Sequence, residues 1–202
     1  MSKGNFIIIA APSGTGKTSL VAALAEMFEN LKISISYTTR AQRPGERNNE
    51  DYRFIDEPQF KQMIDDHAFL EYATVYGHHY GTAREWVLAQ LVKGRDIILE
   101  IDWQGARQIR ASFPHAVTIF VVPPSLQALE SRLRQRGQDN EEVIAARMAK
   151  AKQELEHYHE FDYLVVNDQF DHAVQDLVHI VRAERLKTTI QQQVNAELLA
   201  KL

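Results

Sequence analysis

The feature that most constrains this chain is an apolar run that leads directly into a glycine-rich turn near the amino terminus. Residues 6–10 read FIIIA, residues 11–18 read APSGTGKT, and an apolar pattern with helical spacing continues to Phe28. The turn matches the phosphate-loop pattern G-x-x-x-x-G-K-[ST], although Ala11 stands at the first glycine position. Successive backbone N–H groups in such a turn, at the positive end of a helix, bind phosphate oxygens. The stretch therefore predicts a buried strand, a phosphate-binding loop and a helix.

The side chains of this loop suit the phosphates of a nucleoside triphosphate. Lys17 supplies a mobile charge for the β and γ phosphates, and the hydroxyl of Thr18 suits a magnesium ligand. Gly14 and Gly16 permit backbone conformations that residues with a Cβ resist. Ala11 is the smallest substitute for glycine, at a loop entry where a strand-like φ suffices. The residues predicted to contact ATP in this loop are Ala11, Pro12, Ser13, Gly14, Thr15, Gly16, Lys17, Thr18 and Ser19.

The order of the remaining apolar segments favours an α/β fold with a parallel sheet that is covered by helices on both faces. Segments rich in Ile and Val alternate with segments of helical periodicity. Ser125 suits a helix start, and so does the pair Thr82 and Glu85. Buried strands are predicted at 6–10, 96–102, 116–122 and 162–167, and helices at 18–28, from Thr82 to Val92, at 105–112, 126–136 and 141–158, and from 171 to the end.

The stretch 32–82 departs from this order, because it is more polar and richer in short strands. We interpret it as a smaller lobe inserted into the α/β core. Asp56 and Gln59 resemble a capping box at the start of a helix. Strands are predicted at 32–37, 52–55 and 69–76, a polar loop at 40–51, and a helix near 57–66.

Length and charge narrow the class of protein. The 202 residues are enough for one domain with lobes, and the formal net charge of −4 argues against a nucleic-acid partner. The chain has no cysteine, so disulfide and thiolate chemistry are excluded. The start is too short and too soon interrupted for a secretory signal, and no apolar run approaches the ~18 residues of a membrane span. We expect a cytoplasmic protein with no membrane partner.

Two arginines and two tyrosines in the inserted stretch suit a phosphate dianion when they act together. Arg40 and Arg43 precede a Pro-Gly turn, Tyr52 follows it, and Tyr80 lies in the segment EYATVYGHHYGT. Arginine forks and tyrosine hydroxyls bind such dianions. Taken singly, each residue has an ordinary interpretation as a solvated loop charge or a packed strand residue. The hypothesis depends on the four together.

Two carboxylates end the apolar strand at 96–102. A carboxylate at this position can hold magnesium directly or through water, so Glu100 is predicted to share the ion with Thr18. The segment from Asp102 to Gly105 also fits the D-x-x-G switch pattern of GTPases. No N-K-x-D guanine motif follows, because VVND at 165–168 lacks the lysine. A GTPase is therefore disfavoured.

Taken in order, these segments resemble the guanylate kinases, which phosphorylate GMP with ATP. The resemblance covers at least residues 5–185 and is carried by APSGTGK, SYTTRAQRPGE, DYRF, FLEYATVYGHHYGT, EIDWQGA, PPS, RLRQRG and VVND. It implies ATP and GMP as substrates, dGMP as a further acceptor, and Mg²⁺ with the ATP. It also implies a P-loop kinase core at about 1–35, 83–131 and 159–202, a GMP-binding lobe at about 36–82 and a helical lid at about 132–158.

The resemblance implies roles for individual residues. The guanine pocket is expected to be lined by Ser36, Glu71, Thr82 and Asp102. The GMP phosphate is expected to be held by Arg40, Arg43, Tyr52 and Tyr80. The adenine of ATP is expected near Arg136 and Asn167. The residues expected to act in phosphoryl transfer are Lys17, Arg40, Arg132, Arg136 and Arg147.

The arginines of RLRQRGQDNEEVIAARM have two interpretations. Arg132 and Arg136 are one helical turn apart and can share a face, Gly137 can end that helix, and Arg147 lies on the next. A pair of solvated, charged helices is the ordinary interpretation of such a sequence. The resemblance favours a lid that carries arginines to the phosphates.

The chemistry of guanine explains why a carboxylate belongs in the base pocket. Guanine presents N1–H and N2–H₂ side by side, and one carboxylate, here Glu71, can accept both donors. Adenine would leave that carboxylate buried and unpaired. Two alternatives stay open from sequence: a P-loop kinase for another phosphorylated metabolite, and a non-catalytic guanylate-kinase-like interaction module. The retained Lys17 and Thr18 argue against the second.

The carboxyl-terminal segment carries apolar residues at intervals of four. On one continuous helix they would form a single ridge. The ridge suits assembly into a homo-oligomer and suits packing on the parent domain equally well. The residues are Leu186, Ile190, Val194, Leu198 and Leu202.

Overall fold

The computed structural model describes residues 4–135, 137 and 140–202, and in this part of the chain helices surround two β-sheets. The predicted α/β class, with a parallel sheet between helices, is confirmed. In chain order the elements are β1 (Phe6–Ala10), α1 (Lys17–Glu26), β2 (Leu31–Ile33), β3 (Tyr37–Thr38), β4 (Arg53–Phe54), α2 (Glu57–Asp65), β5 (Phe69–Val75), β6 (His78–Ala83), α3 (Arg84–Val92), β7 (Asp96–Ile101), α4 (Trp103–Ser112), β8 (Val117–Val122), α5 (Leu126–Gln135), α6 (Glu141–Leu155), a 3₁₀ turn (Tyr158–Glu160), β9 (Tyr163–Val166), α7 (Phe170–Arg185), α8 (Thr188–Val194) and α9 (Ala196–Leu199).

The larger sheet is parallel and has the strand order β2-β7-β1-β8-β9. Its central strand β1 is buried along its whole length. Ile7 and Ile9 belong to an apolar cluster with residues of α1 and α7, whereas Phe6 and Ile8 belong to a second cluster with residues of α3 and α4. Side chains alternate between the two faces of a strand, so helices on both faces account for the unbroken apolar run.

The smaller sheet has the strand order β4-β3-β6-β5 and is built around the antiparallel hairpin of β5 and β6. Helix α2 anchors it through Phe60, which is fully buried and whose ring centroid lies 4.6 Å from that of Phe69. The predicted single strand at 32–37 is wrong. The chain leaves the larger sheet after Ile33 and joins the smaller one at Tyr37.

Of the three helix caps predicted from sequence, at Asp56, Thr82 and Ser125, two are confirmed. Asp56 accepts a hydrogen bond from the backbone N–H of Gln59 at 2.8 Å, and Ser125 accepts one from that of Ala128 at 3.0 Å. The box at Thr82 is wrong, because α3 begins after Ala83 without a side-chain cap. The Thr82 hydroxyl instead donates to Glu71. Thr82 therefore bonds Glu71 on the neighbouring strand instead of the backbone of the helix that follows it.

Helices α5 and α6 pack against each other, and the chain after α7 is interrupted. Leu129 and Leu133 of α5 contact Ala151 of α6 in a small apolar cluster. The predicted continuous helix from 171 to the end is wrong, since α7, α8 and α9 are separate helices. Across the described residues, no helix combines the length and apolar character that crossing a membrane requires.

Candidate active site

A cavity of about 500 Å³ lies between the carboxyl ends of strands in the larger sheet and the smaller sheet. Open parallel sheets bind ligands at this edge, where the loops after the strands come together. Helix α6 closes part of the cavity. Of the residues singled out from sequence, it is lined by Ala11, Pro12, Ser13, Gly14, Thr15, Gly16, Lys17, Thr18, Ser19, Ser36, Arg40, Arg43, Tyr52, Glu71, Tyr80, Glu100, Asp102 and Arg147.

A second cavity, of about 270 Å³, adjoins the glycine-rich loop. It is lined by Gly14, Gly16, Arg132 and Gln135. The two glycines also line the larger cavity. The loop therefore lies where the two cavities meet.

The loop between β1 and α1 is supported by residues distant in sequence. Gly16 has φ +89°, and a Cβ at this position would lie 2.7 Å from Nδ2 of Asn167. The Asn167 amide donates to the backbone carbonyl of Thr15 at 2.6 Å, and Arg132 donates to the same carbonyl at 3.3 Å. Thr15 is buried, and its carbonyl accepts both hydrogen bonds from beneath the loop, so these contacts support the loop from the side away from the cavity.

At the start of α1, two polar side chains reach the end of β7. The ammonium of Lys17 donates to the carbonyl of Ile101 at 3.0 Å. The hydroxyl of Thr18 donates to Oε1 of Glu100 at 2.5 Å. A hydroxyl and a carboxylate oxygen fit a small hard cation that takes its other ligands from water and phosphate. Within residues 4–135, 137 and 140–202, no group of three or more His, Cys, Asp or Glu side chains could hold a metal ion.

Of the four residues predicted to bind a phosphate dianion, Arg40, Tyr52 and Tyr80 are in contact with one another, and Arg43 lines the same cavity. The Arg40 guanidinium lies 5.3 Å from the Tyr52 ring centroid, and the centroids of Tyr52 and Tyr80 are 6.0 Å apart. Burial alone would lower the pKa of Arg40, but hydrogen bonds to Glu46 at 2.7 and 3.1 Å raise it. Arg43 is exposed on the loop, and its backbone N–H donates to the same Glu46 carboxylate.

Tyr52 stays protonated in this setting. Burial, followed by the negative charge of Glu100, raises the pKa of its hydroxyl to about 12. At neutral pH the hydroxyl can therefore donate a hydrogen bond to an anion. Beside a charged arginine, it completes a donor set suited to phosphate.

Glu71 is the most deeply buried carboxylate in the larger cavity. Its side chain comes from β5, is 3% exposed, and accepts a hydrogen bond from the Thr82 hydroxyl at 2.6 Å. Burial raises the pKa of Glu71 to about 7, and the charge of Asp102 adds to the shift. Thr82 was expected to line the guanine pocket, but it is not one of the described residues that line the cavity. Its hydroxyl holds Oε1 of Glu71, while Oε2 lies beside Gly105 in the first turn of α4.

The DWQG segment has a structural explanation that involves no nucleotide switch. Asp102 caps α4, because its Oδ1 accepts from the backbone N–H of Gly105 at 2.9 Å. A Cβ at Gly105 would lie only 2.4 Å from Oε2 of Glu71. The glycine is therefore required so that the carboxylate from the smaller sheet can approach the first turn of α4.

The predicted arginines of α5 and α6 have different surroundings. Arg147 lines the larger cavity. Arg132 lines the smaller one and donates to the carbonyls of Thr15 and Asn167. Asn167, expected near adenine, is buried beneath the loop. Arg136 lies outside the described residues.

Several residues that line the larger cavity were missed by the sequence analysis, Glu154 and Tyr76 among them. Glu154 on α6 is 6% exposed, and burial raises its pKa. Its spacing of seven from Arg147 places both on one face of the helix, which was the available signal. Tyr76 lies at the tip of the β5–β6 hairpin. The Tyr76-Gly77 pair could have been recognised in the sequence as a hairpin turn, but the residues of α6 that contact Tyr76 could not.

Comparisons with known proteins agree with the geometry. The family model described as guanylate kinase matches residues 3–184. A guanylate kinase of Coxiella burnetii is 57% identical over 202 residues, which cover 100% of this chain and 98% of that protein. A guanylate kinase of Escherichia coli K12 is 52% identical over 204 residues, covering 100% and 99%.

A solved structure gives the same result at the level of the fold. The crystal structure of guanylate kinase from Anaplasma phagocytophilum is 33% identical, and the match covers 93% of this chain and 89% of that one with a TM-score of 0.77. The resemblance found in the sequence motifs is thereby confirmed over nearly the whole chain. This chain belongs to the guanylate kinase family.

Proposed function

We propose that the protein transfers the γ-phosphate of ATP to GMP, giving ADP and GDP. The observation that carries the proposal is the continuous cavity that joins Lys17 of the phosphate loop to the buried carboxylate of Glu71. A phosphate loop alone is shared by many enzymes. A phosphate loop facing a carboxylate of this depth, with an arginine–tyrosine cluster between the sheets, suits a purine nucleoside monophosphate acceptor.

ATP is assigned to the glycine-rich loop. Its phosphates would accept hydrogen bonds from backbone N–H groups of residues 13–19, and its nucleoside would occupy the cavity beside Gln135. Asn167 would act from beneath, by holding the Thr15 carbonyl. Thr18 and Glu100 would hold Mg²⁺, which when bound neutralises phosphate charge.

GMP is assigned to the side of the smaller sheet. Its phosphate would lie among Arg40, Arg43, Tyr52 and Tyr80, where guanidinium and hydroxyl groups supply donors. Its base would contact Glu71, with Ser36 and Asp102 at the edge of the pocket. We expect dGMP to be accepted as well.

Phosphoryl transfer in this site needs charge neutralisation rather than a general base. The second pKa of a phosphate monoester is about 6, so the acceptor is already mostly dianionic at neutral pH. Lys17, Arg40 and Arg147 line the cavity, where they would reduce the repulsion between donor and acceptor. Arg132 and Arg136 are assigned to the same task on the ATP side. Helix α6 and the end of α5, in a lid at about 132–158, would exclude water when the lobe at about 36–82 closes on the core.

The direct test is a coupled assay of ADP formation with ATP and each of GMP, dGMP, AMP, CMP and UMP. Turnover with GMP and dGMP, and at least a hundredfold lower kcat/KM for AMP, is the expected result. Comparable turnover with a pyrimidine monophosphate would contradict the guanine assignment. ADP formation independent of any acceptor would contradict phosphoryl transfer to a nucleotide.

GMP binding is expected to weaken as the pH falls from 8 to 6, because protonated Glu71 presents a donor to the N–H groups of guanine. With the pKa of Glu71 raised to about 7, its ionised fraction falls about tenfold over this range. The GMP phosphate also gains a proton near pH 6. Glu71→Gln keeps that second titration and removes the first. Calorimetric affinities that depend equally on pH in parent and variant would contradict the prediction.

The carboxyl-terminal segment is proposed to contact a second copy of the chain. Leu186 is 70% exposed and Leu202 94%, and Val194 and Leu198 are also exposed. Packing on the parent domain would have buried these side chains. Truncation after Arg185 is expected to convert an oligomer into a monomer in sedimentation experiments, with kcat unchanged. A full-length protein that is monomeric at micromolar concentration would refute the assembly.

We also propose a cytoplasmic location, which suits a chain without cysteine. Export of the protein in a fractionation experiment would contradict it.

A further inference from the structure

The tip of the β5–β6 hairpin carries a tyrosine where a smaller residue is usual. Tyr76 and Gly77 form a two-residue turn between paired Val75 and His78, and their φ angles are +51° and +77°. Such turns favour Asn or Asp at the first position, because a bulky side chain is disfavoured at positive φ. A residue held in a disfavoured backbone conformation at the edge of a cavity suggests that its side chain has a function there.

The ring of Tyr76 faces two cations of α6. The ammonium of Lys150 lies 4.0 Å from the ring centroid, and the guanidinium carbon of Arg147 lies 5.9 Å from it. Both distances are within the range at which a cation is attracted to an aromatic face. The side chain of Tyr76 therefore joins the smaller sheet to the helix that carries Arg147.

Lys150 is fixed on its other side by a buried carboxylate. Its ammonium lies 3.8 Å from Oε1 of Glu154, whose side chain is almost fully buried against the larger cavity. Residues 147, 150 and 154 share one face of α6, since their spacing is three and four. The ring, the ammonium and the carboxylate therefore form one chain of contacts from the hairpin tip to the buried side of α6.

We propose that Tyr76 is a positioning residue for phosphoryl transfer. Its ring is the surface on which α6 docks when the cavity is closed, and docking sets the position of Arg147 relative to the acceptor phosphate. The proposal rests on the role of Arg147 given above. On this proposal, the GMP-binding lobe and helix α6, which carries Arg147, move together when the cavity closes.

The test compares two substitutions at Tyr76 in the full-length protein. Tyr76→Asn removes the ring and supplies a residue that tolerates positive φ, so the variant is expected to melt no lower than the parent. Its kcat is expected to fall about fivefold, the upper end of what loss of a cation–aromatic contact at an exposed site supports. The KM values for ATP and GMP are expected to change by less than about twofold, because the proposed substrate ligands are intact.

Three further variants separate the ring from other effects. Tyr76→Phe keeps the ring and is expected to recover kcat to within about twofold of the parent. Lys150→Met should reproduce the loss and add little to it in the double variant, since the two residues act through one contact. Lys152→Met, an exposed cation on the same helix, is the matched control and should leave kcat unchanged.

The outcomes distinguish this proposal from the one on which it rests. Unchanged kcat in Tyr76→Asn, beside a large loss in Arg147→Met, would overturn the docking role and leave the function intact. An equal loss in Tyr76→Phe would assign the effect to the hydroxyl and also overturn it. If Arg147→Met turns over normally, both the arginine's role and the role of Tyr76 fail.

Discussion

Lys17→Met is expected to lower kcat by about a thousandfold, which corresponds to about 4 kcal/mol of transition-state stabilisation. The ammonium lies where the phosphate loop passes into α1 and donates to the carbonyl of Ile101, from where it can reach the bridging oxygens of a bound triphosphate. Methionine keeps the length of the stem and removes the charge. The backbone N–H groups of the loop would still bind ATP, so the loss should appear in kcat more than in KM.

The fold should tolerate this change. The shape of the loop depends on the hydrogen bonds from Asn167 and Arg132 to Thr15, and Lys17 takes no part in them. Kinetics at saturating ATP and GMP, with thermal unfolding in parallel, measure both effects. Lys32→Met, an exposed lysine on β2, is the matched control. Turnover of Lys17→Met within about threefold of the parent would contradict the phosphoryl-transfer assignment.

Glu71→Ala is expected to lower kcat/KM for GMP several hundredfold. The carboxylate is buried, one of its oxygens is held by Thr82, and the other faces the first turn of α4 at Gly105. Bonds from two guanine N–H donors to a charged acceptor contribute roughly 1.5–3 kcal/mol each. Water entering the space would offset part of the loss, which leaves a net change of about 3–4 kcal/mol.

The loss in Glu71→Ala should be confined to GMP. The KM for ATP should barely change, because the phosphate loop is untouched. AMP should remain a poor substrate, since removing a repulsive group creates no contact to adenine. Glu85→Ala, an exposed carboxylate in the first turn of α3, is the matched control. A decrease below about tenfold for GMP in a folded variant would show that Glu71 does not select guanine.

Features set by neighbouring residues were predictable from the sequence. The strand, glycine turn and helix at the amino terminus follow from an apolar run, two glycines and a periodic pattern within about twenty residues. The larger parallel sheet follows from repeated Ile- and Val-rich segments. In each case the local preference and the tertiary environment agree, so the local pattern is sufficient.

Features decided by distant residues were not predictable. KISISY alternates like one strand, yet nothing within it marks the point after Ile33 where the chain leaves one sheet for the other. Thr82 has the spacing of a helix cap, but the buried Glu71 is the partner it bonds. Tyr76 and Lys150 are 74 positions apart, and their contact depends on where α6 lies after folding.

The residues of the candidate site also fall into a group that was predictable from sequence and a group that was not. Arg40, Tyr52 and Tyr80 could be grouped because arginines and tyrosines in one polar stretch suggest a shared anion. Glu46, which pairs with Arg40, had no such signal, and Glu154, which faces the cavity from α6, had only its helical spacing from Arg147. Carboxylates on charged helices and loops are usually solvated, and only the packed structure distinguishes the buried ones.

The bond between Asn167 and Thr15 has a consequence for how the protein matures during synthesis. The two residues are 152 positions apart, so a nascent chain that already contains the complete glycine-rich motif still lacks the amide that fixes it. This hydrogen bond can therefore form only after residue 167 has been synthesised and β9 has joined the sheet beside β8. Fragments that end before residue 167 carry the whole glycine-rich motif but lack the amide that holds the Thr15 carbonyl.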